Sequence, residues 1–133
     1  EDAPQHVACR RWLEEVVNGE HAYAVSELVL SGFLRVVTHP RVFRRPWTVA
    51  KAWGFLGAVQ ASPGLGMLVP TDRHARVLEE VIGEVPQLSG NILHDAATAV
   101  LMREHGIRRI CTRDMDFHRF PFLEPIDPLT AEP

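Results

Sequence analysis

The stretch NILHDAATAVLMREHGIRRICTRDMDF, residues 91–117, decides the fold class. After Asn91, the residues Leu93, Ala96, Ala97, Val100 and Leu101 recur at helical spacing, and Gly106 is a natural stop. Arg109 to Thr112 then reads as a short strand, and Asp114 to Phe120 as a turn or short helix. A helix that runs into a short apolar strand is half of a β-α-β unit, so the same alternation is expected on either side of it.

Upstream, Thr71 or Asp72 caps a helix running to about Val85, before Pro86, and Gly66 to Val69 is a strand. Thr48 caps a helix with Val49, Ala52, Trp53, Leu56 and Val59 on its apolar side, stopped by Ser62-Pro63-Gly64. Ser26 caps another, carrying Leu28, Leu30, Phe33, Leu34 and Val37 and ended by Pro40, and His21 to Val25 is the strand before it. Pro4 opens the first helix, in which Val7, Ala8, Trp12, Leu13, Val16 and Val17 lead to Gly19. Downstream, Leu123 to Ile126 is a last strand and Asp127 to Pro133 a frayed tail. Short apolar strands between amphipathic helices imply one α/β domain over residues 1–133, its parallel sheet covered on both faces.

A chain of 133 residues can bury a core without disulfides or structural metal. It is 46% apolar and 23% charged, the balance of an ordinary globular protein. No apolar run approaches the roughly 20 residues that cross a bilayer, and the N-terminus has no basic leader region, so a cytoplasmic protein is expected. Cys9 and Cys111 lack metal-ligand spacing and read as buried small hydrophobes in a reducing compartment. A formal net charge of −3 does not advertise nucleic-acid binding. Charge placement says more: Arg35, Arg41, Arg44, Arg45 and Lys51 follow one another with no acid between them, a local patch suited to phosphate or a solvated loop.

In open α/β sheets, sites sit at the carboxyl ends of strands. Asp114 and Asp116 directly follow the strand ending at Thr112, with Met115 between them turned away. Asp95 stands in the first turns of an otherwise apolar helix, where a poor helix former needs compensation. A hard divalent cation would provide it, because magnesium and manganese take carboxylate oxygens from separate elements. Turn-forming and helix-capping roles are the plain alternatives for these residues. Glu27 is favoured at a helix start by the macrodipole alone, or belongs to the metal site. There is no GxSxG elbow, no P-loop and no GxGxxG, which argues against a serine hydrolase, an NTPase and a dinucleotide enzyme.

Asn91-Ile-Leu-His-Asp95-Ala96, continuing to Glu104-His105-Gly106, resembles a motif of VapC toxins, as does Ile110-Cys-Thr112-Arg-Asp114-Met-Asp116-Phe117 with His118-Arg-Phe120. Ala3-Pro-Gln-His6, Arg11-Trp-Leu13 and Gly32-Phe-Leu-Arg35-Val-Val-Thr38-His-Pro-Arg-Val-Phe43 look like one bacterial subgroup of the same family. The resemblance covers essentially the whole chain. It implies a PIN-like three-layer α/β/α fold with a mostly parallel central sheet and an acid cluster that binds Mg2+ or Mn2+. By position, Asp95 and Asp114 are metal-site acids, and Asp116 takes the frequently acidic fourth place, binding metal directly or through water.

Two departures stand out. Many PIN proteins carry a Glu about where this chain has Gly32; the nearby acid here is Glu27, one turn or more earlier. The family's first strand, ending in an Asp, should precede Ala3, so the resemblance also implies an N-terminally incomplete version of a longer protein, which intact mass decides. Asp2 lies in the following loop and does not replace that residue.

The activity implied is that of the toxin of a type II toxin–antitoxin pair: an endoribonuclease using metal-activated water, leaving a 5′-phosphate and a 3′-hydroxyl. Arg35, Arg41, Arg44 and Arg45 would hold RNA backbone, with Arg113 nearer the chemistry. A VapB-type antitoxin and a homodimer are the partners implied. The competing reading is a PIN-like module that binds RNA or antitoxin without cutting. A phospho-receiver is disfavoured, because the sole lysine, Lys51, lies in a helix.

Overall fold

The computed structural model describes residues 5–131, so the expected helix start at Pro4 and the last two residues of the tail lie outside the described residues. The chain divides into two compact units, one reaching to Met67 and the other beginning at Leu68.

The first unit holds α1 (His6–Asn18), β1 (Tyr23–Ser26), α2 (Glu27–Val37), α3 (Val49–Gln60) and all but the last residue of β2 (Leu65–Leu68). Gly19 ends α1 because a Cβ there would meet the Glu15 carbonyl oxygen at 2.7 Å. The Ser26 hydroxyl accepts from the Val29 N–H at 3.4 Å, and that of Thr48 from the Lys51 N–H at 3.2 Å. Each cap satisfies a donor that the first helical turn cannot. Phe33 stacks on Phe55 with centroids 5.3 Å apart, and Trp47 meets both rings edge-on, tying α2 to α3. β1 and β2 form a two-stranded sheet, entered by a Tyr23 N–H to Gly64 carbonyl bond of 3.0 Å.

The second unit holds α4 (His74–Glu84), α5 (Ile92–Glu104), β3 (Arg109–Cys111), a 3-10 helix (Met115–Arg119) and β4 (Glu124–Ile126). α4 and α5 pack together, burying Val77 and Val81 of one and Ala96, Ala99 and Val100 of the other. Gly106, at φ 68°, takes the left-handed position that ends α5. Ile107 N–H reaches back to the Met102 carbonyl at 2.9 Å and Gly106 N–H to that of Arg103 at 3.2 Å, the paired closure expected of a helix-ending glycine. β3 and β4 run parallel with Arg109 opposite Glu124 and Cys111 opposite Ile126, and Thr112 N–H prolongs the ladder to Ile126 at 3.0 Å. The buried Phe117 and Phe120 anchor the 3-10 helix beneath this pair.

Several expectations need correction. Val49 and Trp53 were expected on the covered side of α3, but they are 66% and 59% exposed; the covered side runs through Ala52, Phe55, Leu56 and Val59, because Phe55 makes the contact to α2. α4 starts at His74 with Arg73, rather than Thr71 or Asp72, at its N-cap, whereas α5 starts directly after Asn91 as expected. Cys111 is exposed and Cys9 half-buried, whereas burial was expected; on β3 the alternation turns Ile110 inward and its neighbours outward. Up to Ala131 the tail is a turn rather than frayed chain: the Asp127 carbonyl accepts from Thr130 and Ala131 N–H, and its side chain from Leu129 N–H at 2.9 Å.

Candidate metal centre

The first turn of α5 and the exit of β3 bring three carboxylates together within the second unit. Asp95, Asp114 and Asp116 each offer an oxygen, and these oxygens lie within 4.8 Å of one another. Oxygens sharing one octahedral magnesium are about 2.9 Å apart when adjacent and about 4.2 Å when opposite, from metal–oxygen bonds of about 2.1 Å. A set of oxygens held within 4.8 Å is on the scale of such a coordination shell. Three anionic oxygens from two elements, with no cation among them, fit a hard divalent ion.

Local structure sets each position. Asp114 caps the 3-10 helix: its Oδ1 accepts from the Asp116 N–H at 3.0 Å, while its own N–H donates to the Thr112 hydroxyl at 3.0 Å. The turn-capping role foreseen as an alternative for Asp114 is therefore realised together with the clustering, and it fixes the two acids relative to each other. Met115 between them is 72% exposed, turned away as its position implies. Asp95 is half-buried on α5, next to the fully covered Ala96. Its carboxyl titrates above the ordinary range, first because burial penalises the charge, then because Asp114 and Asp116 face it; His94 opposes the shift. Like charges held this close without a cation are a cost that a bound cation would reverse.

The other expected residues are placed as follows. Glu27 opens α2 as an exposed first-turn acid of the first unit. Arg35 lies exposed on α2, and Arg41, Arg44 and Arg45 lie exposed in the loop before α3. Arg113 sits beside Asp114 and is bonded to Asp127 at 3.3 Å.

One polar centre was not anticipated. The Glu104 side chain, fully covered at the end of α5, accepts from the Thr71 N–H at 2.9 Å and the Thr71 hydroxyl at 2.6 Å, and meets His74 Nδ1 at 2.6 Å. Burial alone would raise its pKa, but the Thr71 and His74 hydrogen bonds outweigh it and hold the carboxyl below the usual range. It ties the end of α5 to the Thr71 turn and to the first residue of α4, although no backbone N–H of α4 bonds to it. An acid ending an otherwise apolar helix was the available signal.

The PIN domain family matches residues 1–123. Over 127 residues the chain is 32% identical to Ribonuclease VapC25 of Mycobacterium tuberculosis, covering 96% of this chain and 88% of that protein. It is 31% identical over 131 residues to VapC ribonuclease Mb2897 of Mycobacterium bovis, 98% and 88% of the two chains, and 32% identical over 129 residues to Ribonuclease VapC33 of Mycobacterium tuberculosis, 95% and 87%. The chain belongs to the PIN-domain family, in its VapC-type branch. Its fold class is accordingly the three-layer α/β/α arrangement expected from the sequence. No helix among the described residues is long and apolar enough to cross a membrane.

Proposed function

We propose that this protein is a Mg2+- or Mn2+-dependent endoribonuclease, the toxin of a type II toxin–antitoxin pair, working in the cytoplasm as one domain. The observation that carries the reading is the convergence of Asp95, Asp114 and Asp116 within 4.8 Å at a strand's carboxyl end, in a chain whose relatives bear the name ribonuclease.

Asp95 and Asp114 would hold the ion, with Asp116 beside them binding directly or through water. A divalent ion there supplies Lewis acidity, acidifying a water and offsetting charge on the scissile phosphate. Asp114, locked by its Thr112 and Asp116 bonds, orients the cluster. Glu27 is proposed as a further acid of the site. Arg35, Arg41, Arg44, Arg45 and Arg113 are proposed to hold RNA backbone, contacts that position a strand without reading its sequence. A VapB-type antitoxin and a second copy of the chain are the proposed protein partners.

The test is cleavage of total RNA by the wild-type protein and Asp95→Asn. Cleavage that requires Mg2+ or Mn2+, stops with chelator, leaves 5′-phosphates and falls at least about 100-fold in the variant is expected. Chelator-insensitive cleavage, or 2′,3′-cyclic phosphate ends, would overturn the mechanism.

A further inference from the structure

The stretch from Leu28 to Thr71 contains no Asp or Glu at all, while its part in the first unit carries Arg35, Arg41, Arg44, Arg45 and Lys51. Elsewhere in the chain most arginines are engaged by carboxylates, as in Arg11 with Glu15, Arg76 with Glu80, Arg103 with Glu84 and Arg108 with Glu124. Among the described residues none of the five cations of this stretch has such a partner; Lys51 instead rests over the Trp47 ring at 4.6 Å. Uncompensated cations gathered on a protein of net charge −3 make this a local positive surface suited to an anionic partner.

The same stretch exposes a large aromatic side chain. Trp53 is 59% exposed on the side of α3 turned away from Phe55, while Trp47 has a face already taken by Lys51. Around Trp53 on that side stand Val49, Gly54 and Gly57, and a Cβ added at either glycine would meet nothing within 4 Å. A flat indole with open space beside it, on a segment of unbalanced positive charge, has the two elements of single-strand nucleic-acid binding: a stacking surface and phosphate ligands. A second copy of this segment would bring like charges together.

We infer that the α2–α3 segment seats unpaired RNA, with a base stacked on Trp53 and the backbone held by Arg44, Arg45 and their neighbours. This inference rests on the ribonuclease reading for its ligand class and makes Trp53 a positioning residue.

The experiment is anisotropy of a labelled single-stranded RNA oligonucleotide with the full chain carrying Asp95→Asn, which keeps the probe intact, across a range of salt concentrations. In that background Trp53→Ala should weaken binding roughly tenfold, and Trp53→Phe should restore most of it, since a phenyl ring still stacks. Arg44→Ala with Arg45→Ala should lower the slope of log affinity against log salt by about 1.4, two phosphate contacts on a single strand. Unchanged affinity in Trp53→Ala overturns the inference. So does a variant that keeps RNA affinity but loses self-association or capture of an acidic helical peptide, because the surface then serves a protein. Wild-type cleavage with no Trp53 effect on binding sinks this inference and leaves the ribonuclease reading standing; Trp53-dependent binding without cleavage does the reverse.

Discussion

Asp95 carries the sharpest consequence at the scale of single residues. Its carboxyl titrates above the ordinary value, so the folded, metal-free protein holds that proton more tightly than the unfolded chain does. Charging Asp95 therefore costs stability above the raised pKa, and the cost disappears as pH falls through it. Asp95→Asn should raise the melting temperature of the metal-free protein at neutral pH by about 1–3 °C, a small fraction of a domain's stability; a lower melting temperature would contradict the mutual repulsion. Glu104 has the opposite sign. Its folded pKa lies below the ordinary value, so its contribution is present above the usual carboxylate range and is lost as pH falls through the folded value. Glu104→Gln should cost about 2 kcal/mol in urea unfolding at pH 7, the loss of charge-assisted bonds at a buried position. The gap to wild type should narrow in acid, and an unchanged gap would mean that the charge of Glu104 matters little.

At the scale of elements, helix boundaries with chemical punctuation were legible in the sequence. Ser26 and Thr48 cap as expected because their hydroxyls sit one residue before an apolar run, and Gly106 ends α5 because its left-handed φ suits glycine. The start of α4 was misplaced because Thr71 gives its N–H and hydroxyl to a carboxylate more than thirty residues away, which local sequence does not reveal. The covered side of α3 was misjudged for a related reason: the helix is apolar nearly all round, so periodicity has no polar face to orient it. Tertiary contact through Phe55 decides the matter. Gly54 and Gly57 should then be removable at a gain. Replacing either by Ala should stabilise the isolated protein by about 0.5–1 kcal/mol, since mid-helix glycine is costly and the added methyl meets nothing. Destabilisation on thermal unfolding would show that this face is covered within the chain itself.

For the molecule as a whole, the acids that matter were visible as a spacing, but their convergence was not. Asp114 and Asp116 are near neighbours in sequence, whereas Asp95 reaches them through the turn at Gly106 and the run of β3, a path set by packing of α5. The resemblance to VapC toxins supplied the expectation that these three act together, and the coordinates supply the oxygens within 4.8 Å. The exposure of Cys111 depended on long-range placement and had no local signal, whereas the acid-free run of cations was legible in the sequence itself.

Manganese binding, followed by electron paramagnetic resonance on the purified full chain, tests the metal centre without any assumption about RNA. The account predicts that wild type takes up Mn2+ and that Asp95→Asn and Asp114→Asn each weaken uptake at least about tenfold, the loss of an anionic oxygen ligand. Equal Mn2+ affinity in wild type and both variants would contradict it.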